Sequence, residues 1–251
     1  MYKKESWINK NNPFMFNKTI IEYDMKEAGF SLIKEFNLLP DSVIDKLKEK
    51  PKSERTISIG MIQRDNRELA ENLSLAFQSA RKMFFESNQL EYNDIVSVKK
   101  DAIFTSRPVD SCEFGKYIKF RKKNQYTSYL YLGKALELYY SPSHLDIKGI
   151  NDSKIKLHEG YMVDLFKKYF HKAETESPEV LLDFMRRFTD KYKRKELDIG
   201  YYRTFDNRSA LEIYRNGELM LFDKYMENDK EDISIDFNFF NVLLKLMRIP
   251  L

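Results

Sequence analysis

Two acidic residues in this chain stand where a carboxylate can do chemistry rather than simply face solvent. Asp24 closes the stretch "KTIIEYD", whose alternating β-branched and aromatic residues predict a strand over residues 18–24. Asp101 follows Lys99 and Lys100 at the tip between two short apolar runs, "DIVSV" and "AIFTS", which predict a strand pair. Carboxylates meeting on adjacent strand ends can hold divalent cations about 4 Å apart and so assist phosphoryl transfer. Spacing alone leaves the meeting open, because Asp24 can equally cap a helix and Asp101 can be a solvated turn residue.

Other chemistries find little support. A single cysteine, Cys112, forbids an internal disulfide and suits a reducing cytoplasm. With that one thiol and scattered His144, His158 and His171, the residues argue against a zinc site, leaving hard cations held by carboxylates. No run of 18 or more apolar residues is present to span a membrane, and the N-terminus lacks the apolar core of a signal peptide. The expected location is therefore cytoplasmic, without membrane partners. Charged residues make up 33% of the chain and apolar ones 42%, a balance that folds rather than stays disordered.

Net charge is only +4, but it is unevenly placed. The strip "KYIKFRKK", residues 116–123, carries Lys116, Lys119, Arg121, Lys122 and Lys123 with no acid, and "RRFTDKYKRK", residues 186–195, is a second basic cluster. Basic side chains interleaved with aromatic ones suit a phosphate backbone, although solvated faces look the same in sequence.

The elements that must position these groups follow from periodicity. Residues 1–17 read as a loose N-terminal arm. After the strand at 18–24, "KEAGFSLIKEFN" predicts a short helix, and Pro40-Asp41-Ser42 starts another that Pro51 ends. From Ser53 to Leu90, Leu69, Leu73, Ala76, Phe77, Ala80 and Phe84 recur at spacings of three and four, predicting helix with Gly60 as a divider. "GKYIKFRK", "YTSYLYLG", "ALELYYS" and "LDIKGI" then continue as strands. Helices are predicted over 154–172 and 178–193, a hairpin over 209–223 turning at Asn216-Gly217, and a closing apolar helix. Strands segregated from helices in this order predict an α+β fold.

"EYDMKEAGFSL" followed by "VKKDAIF", with helices between, resembles the palm of family B DNA polymerases, in particular a small phage-type polymerase-like protein. Asp24 matches the aspartate of that family's first motif, and Asp101 matches the second aspartate of its Asp-Thr-Asp-Ser hairpin tip. Lys99 stands where the family has the first tip aspartate. Arg55, Arg64 and Arg67 fall in the interval of the fingers, whose basic residues grip the incoming triphosphate. "KKNQYTSYLYLG" is similar to the Lys-x-Tyr element that touches the primer, with Lys123 and Tyr126 one residue farther apart, and "LDIKGIND" resembles the palm-to-thumb segment carrying Lys148. Gly29 occupies the position of the tyrosine whose ring excludes a 2′-hydroxyl in the family, so weak sugar discrimination is expected; a close-packing glycine on a helix is the other reading.

The resemblance covers residues 18–172 and implies an antiparallel palm-like sheet with an inserted helical fingers unit and a mostly helical thumb-like region. Its boundaries are an arm at 1–17, a palm-like domain at 18–50 and 91–150, a fingers-like insertion at 51–90, and a thumb-like region at 151–251. The implied activity is metal-dependent nucleotidyl transfer to a nucleic-acid 3′ end. Asp24 and Asp101 would hold Mg²⁺ or Mn²⁺. Arg55, Arg64, Gly29 and Lys100 would meet the nucleoside triphosphate, and Lys116, Lys119, Arg121, Lys122, Lys123, Tyr126 and Lys148 the nucleic acid. Phage or host replication and transcription proteins are the expected protein partners. The alternative is a catalytically inactive palm serving as a nucleic-acid-binding or replisome adaptor, and a third is an unrelated α+β interaction protein.

Overall fold

A computed structural model of the chain describes residues 1–133, 136–149, 159–194, 196–197, 212–215 and 218–221. The described residues form an α+β protein with antiparallel ladders and six α-helices. The chain divides into two units, one of Met1–Asn12 with Lys18–Tyr126 and the other of Pro13–Asn17 with Thr127–Leu251.

In the first unit β1 (Ser6–Ile8), β3 (Ile20–Met25), β4 (Ile95–Lys99), β5 (Ala102–Thr105), β6 (Glu113–Phe114) and β7 (Ile118–Tyr126) build one sheet in the order β1-β4-β5-β3-β7-β6. Alternation along β3 decides its two faces. Ile21, Tyr23 and Met25 enter a core shared with Leu73, Phe77 and Phe84, while Glu22 and Asp24 lie on the opposite face. The helices are α1 (Ala28–Glu35), α2 (Asp41–Lys48), α3 (Lys52–Asp65) and α4 (Arg67–Ser87). The stripe Leu69, Leu73, Ala76, Phe77, Ala80 and Phe84 is buried throughout, each large apolar side chain contributing ~1.5–3 kcal/mol. By contrast α3 buries only Ile59, so specific polar contacts must orient it.

Helices α3 and α4 are divided at Asn66, not at the expected Gly60. The Asn66 backbone is extended, and its side-chain oxygen accepts the Leu69 N–H at 3.0 Å, capping α4. Glycine is required instead at 115, where φ is +74° and a Cβ would collide with the Glu35 carboxylate. That carboxylate accepts the backbone N–H groups of Lys116 and Tyr117 at 3.2 and 2.6 Å, tying α1 to the β6–β7 turn.

In the second unit β2 (Phe14–Met15), β8 (Ser128–Gly133), β9 (Leu136–Ser141) and β10 (His144–Lys148) form a separate sheet in the order β10-β9-β8-β2. Helix α5 (Asp164–Thr175), preceded by a π-helical turn, buries Leu165, Phe166, Tyr169 and Phe170, and Phe170 stacks on Tyr140 at 5.0 Å. Helix α6 (Pro178–Lys193) follows. β11 (Glu212–Arg215) and β12 (Glu218–Leu221) pair antiparallel, in agreement with the expected hairpin.

Several sequence expectations change. The N-terminal arm is not loose: Ser6, Trp7 and Ile8 pair with Lys99, Val98 and Ser97, and Phe14 and Met15 join the second sheet. The palm-like sheet does not run on to residue 150, because β8, β9 and β10 belong to the second sheet. Residues 151–158, the turn at 216–217 and the closing segment 236–251 lie outside the described residues, as does most of the expected thumb-like region. Among the described residues no helix is long and apolar enough to cross a membrane.

Candidate active-site cleft

The end of β3 and the tip of the β4–β5 hairpin are neighbours. Asp24 pairs with Ala102 in the ladder, and the Met25 N–H donates to the Asp101 carbonyl at 2.9 Å. This places Asp24 and Asp101 on the wall of one cleft of about 410 Å³, facing the helices that follow β3. Helix α1 contributes Gly29 and Phe30, and α3 contributes Lys52, Arg55, Thr56, Ile59, Gly60 and Gln63, spaced as one helical face. Glu27, Phe77 and Lys100 complete its chemically distinct lining.

Burial of the Asp24 carboxyl raises its pKa, and the nearby Asp101 charge raises it further, against the opposing pull of Lys123 and Arg121. Asp24 does not cap a helix: Glu27 precedes α1, and no side chain caps that end. A carboxylate on a strand end and another at the adjacent hairpin tip, beside open volume, are a donor pair of the kind that could hold a hard divalent cation. The remaining ligands would come from water or substrate, since no group of three or more His, Cys, Asp or Glu is placed to hold a metal among the described residues. The cation would also have to compete with Arg121, whose guanidinium lies 3.7 Å from the Asp24 carboxylate.

Arg55 reaches the cleft but is already engaged. Its Nε donates to the Leu47 carbonyl at 3.0 Å, Nη2 to the Lys50 carbonyl at 3.0 Å and Nη1 to Glu27 at 2.9 Å, while its plane lies over the Phe30 ring. Arg64 is a correction. It does not line the cleft, its side chain is 74% exposed, and it pairs with the adjacent Asp65. Lys100 does line the cleft, with its ammonium 5.3 Å from the Phe77 ring centre. Gly29 is not a close-packing glycine: a Cβ there meets only Ile59 Cγ2, at 3.8 Å.

The basic strip on β7 is not one surface. Arg121 pairs with Asp24 and Lys122 with Tyr23 in the ladder, so these neighbours point to opposite faces of the sheet. Lys119 is bonded to Glu113 at 2.9 Å, Lys122 reaches the Gln125 amide oxygen, and the Lys116 ammonium lies over the Tyr117 ring. Tyr126 is a second correction. It is 1% exposed and donates its hydroxyl to the buried Glu22, which also receives Asn124 and Lys123, so it is a core residue rather than an exposed one. Lys148 belongs to the second unit, where it pairs with Asp146 at 3.0 Å.

Some contributors escaped sequence reasoning. Lys52, Thr56 and Gln63 were legible in principle, because they share the spacing of three and four that brings Arg55 to the cleft. Arg81 left no such signal. It is buried on α4, donating Nε to the Tyr2 carbonyl at 2.8 Å and Nη1 to the Lys100 carbonyl at 2.6 Å, and so braces the hairpin tip from behind.

A search of curated proteins gives no match to the chain. The model of one protein family does match it, over residues 1–251, and by that full-length match the chain belongs to the Bacteriophage PBS1 gene 130 protein family.

Proposed function

We propose that this phage-family protein is a metal-dependent nucleotidyltransferase, similar to a minimal family B polymerase core, that adds nucleotides to a nucleic-acid 3′ end. The family match speaks for a phage protein and carries no activity; the proposal rests on the cleft. The observation that carries it is the convergence of Asp24 and Asp101 on one open cleft whose far wall is a helix face bearing Lys52 and Arg55.

Asp24 and Asp101 would hold Mg²⁺ or Mn²⁺, which when bound supplies charge neutralisation for the attacking and leaving oxygens of phosphoryl transfer. The chain's own part is positional. The ladder fixes the Asp24 backbone against the hairpin tip, and Arg81 holds the Lys100 carbonyl so that Asp101 stays beside it. Lys52 and Lys100 place positive charge where phosphate oxygens would lie. The open volume at Gly29 supports weak discrimination between ribose and deoxyribose. Nucleic acid would be drawn by Lys116 and Lys122, with affinity falling as salt rises.

A second reading, an inactive palm acting as a nucleic-acid-binding or replisome adaptor, is favoured by one specific contact. Arg121 already sits on the Asp24 carboxylate, the group that a metal would need. Extension of a labelled primer with each nucleotide type, by wild type and by Asp24→Ala and Asp101→Ala, separates the two. Extension lost in both variants supports the enzyme. Nucleic-acid binding without extension by wild type in either Mg²⁺ or Mn²⁺ supports the adaptor.

A further inference from the structure

The Arg55 guanidinium is held by three partners, of which only one can leave. Leu47 and Lys50 offer backbone carbonyls at and just beyond the C-terminal end of α2, where a cation is favoured and where displacement would mean unwinding the helix end. Glu27 offers a side-chain carboxylate, and that side chain is 31% exposed against 15% for Arg55. Both residues line the cleft. The Glu27 backbone is left-handed, with φ 48° and ψ 45°, a strained conformation for a residue with a Cβ and one that recurs at ligand clamps.

The charge lining the cleft is evenly matched. Asp24, Glu27 and Asp101 stand against Lys52, Arg55 and Lys100, so the cleft as it stands has no net attraction for an anion. Removing the contribution of one acid tips it positive, and Glu27 is the acid whose partner is an arginine fixed independently of it. The freed guanidinium edge would then face a cavity large enough for a nucleotide-sized ligand.

We propose that Glu27 sets the anion affinity of the cleft. Its carboxylate occupies the edge of Arg55 that an oligophosphate takes, and the ligand enters by displacing it while Leu47 and Lys50 keep Arg55 in place. Glu27 is thus a specificity-determining residue: a single weak anion does not outcompete it, whereas linked phosphates that also reach Lys52 or Lys100 do. The inference rests on the proposed function only in taking the ligand to be phosphorylated.

The test uses inorganic tripolyphosphate titrated calorimetrically into the full chain without divalent cations, so that neither metal binding nor polymerisation enters the result. Glu27→Gln is expected to bind it about tenfold more tightly than wild type, the scale of one charge-assisted contact freed for the ligand. Adding Arg55→Gln to that variant removes the gain. A merely structural ion pair predicts lowered thermal stability and no gain in affinity. Glu27→Asn is the second variant, because asparagine tolerates the left-handed backbone and also removes the charge. Equal or weaker binding by both neutral variants, or no binding by any form, overturns the proposal.

Discussion

Gly60 sits in the middle of α3 and lines the cleft, yet a Cβ built there meets nothing within 4 Å. Helix propensity then decides the effect of Gly60→Ala, because alanine loses less backbone entropy on folding. The expected gain is ~1 kcal/mol of stability. For a unit of this size that corresponds to a rise in Tm of about 3–5 °C. Gly29→Ala near the start of α1 should gain less, roughly 0.5 kcal/mol, since its Cβ makes only an ordinary contact with Ile59 at 3.8 Å. Urea denaturation followed by circular dichroism reads both changes. If either glycine existed for close packing, alanine would instead lose ~1–3 kcal/mol through overpacking. A lowered midpoint in Gly60→Ala refutes the claim that the cleft is open on the α3 side. The functional counterpart is Gly29→Tyr, which should fill the space beside a bound sugar and lower ribonucleotide incorporation relative to deoxyribonucleotide. Retaining two glycines where alanine is more stable is the pattern expected when volume serves a ligand.

Asp24→Asn should stabilise the protein at neutral pH, because the folded state raises the pKa of this carboxyl through burial and the Asp101 charge. A carboxyl raised in the folded state costs stability once it is ionised, so the gain should fade on acidification and vanish below the ordinary value of 3.8, where both forms are neutral. Thermal melts across that range read the sign, and a loss of stability at neutral pH would contradict it. Arg81→Ala should cost about 1.5–3 kcal/mol by removing the charged donor of the Tyr2 and Lys100 carbonyls. Because one of those carbonyls belongs to Lys100, hydrogen exchange at the β4–β5 tip should also quicken, and an unchanged tip would remove Arg81 as its brace.

The strands were legible because alternation is a local signal: the stretches containing Asp24 and flanking Asp101 are strands with nearly the expected bounds. That β3 lies directly beside β5 is a long-range pairing, which no local pattern encodes and only the register displays. Arg64 failed for a helical reason. It follows Gln63 on α3, and one residue is about 100° of rotation, enough to turn it from the cleft to solvent. The Lys-x-Tyr resemblance that singles out Tyr126 carries no information on burial, and the Glu22 carboxylate beneath it collects Tyr126, Asn124 and Lys123. Lys99, which departs from the resemblance at the hairpin tip, pairs with Ala102 and Ser6 in the ladder, on the sheet face that also carries Asp24.

The central claim is that Asp24 and Asp101 together hold one divalent cation site. Titration with Mn²⁺, followed by the loss of the free-ion electron paramagnetic resonance signal, tests it without requiring substrate or turnover. Wild type should bind Mn²⁺, and Asp24→Asn and Asp101→Asn should each weaken binding by at least about tenfold. Wild type that leaves the free-ion signal unchanged, or binding that survives both substitutions intact, would contradict it.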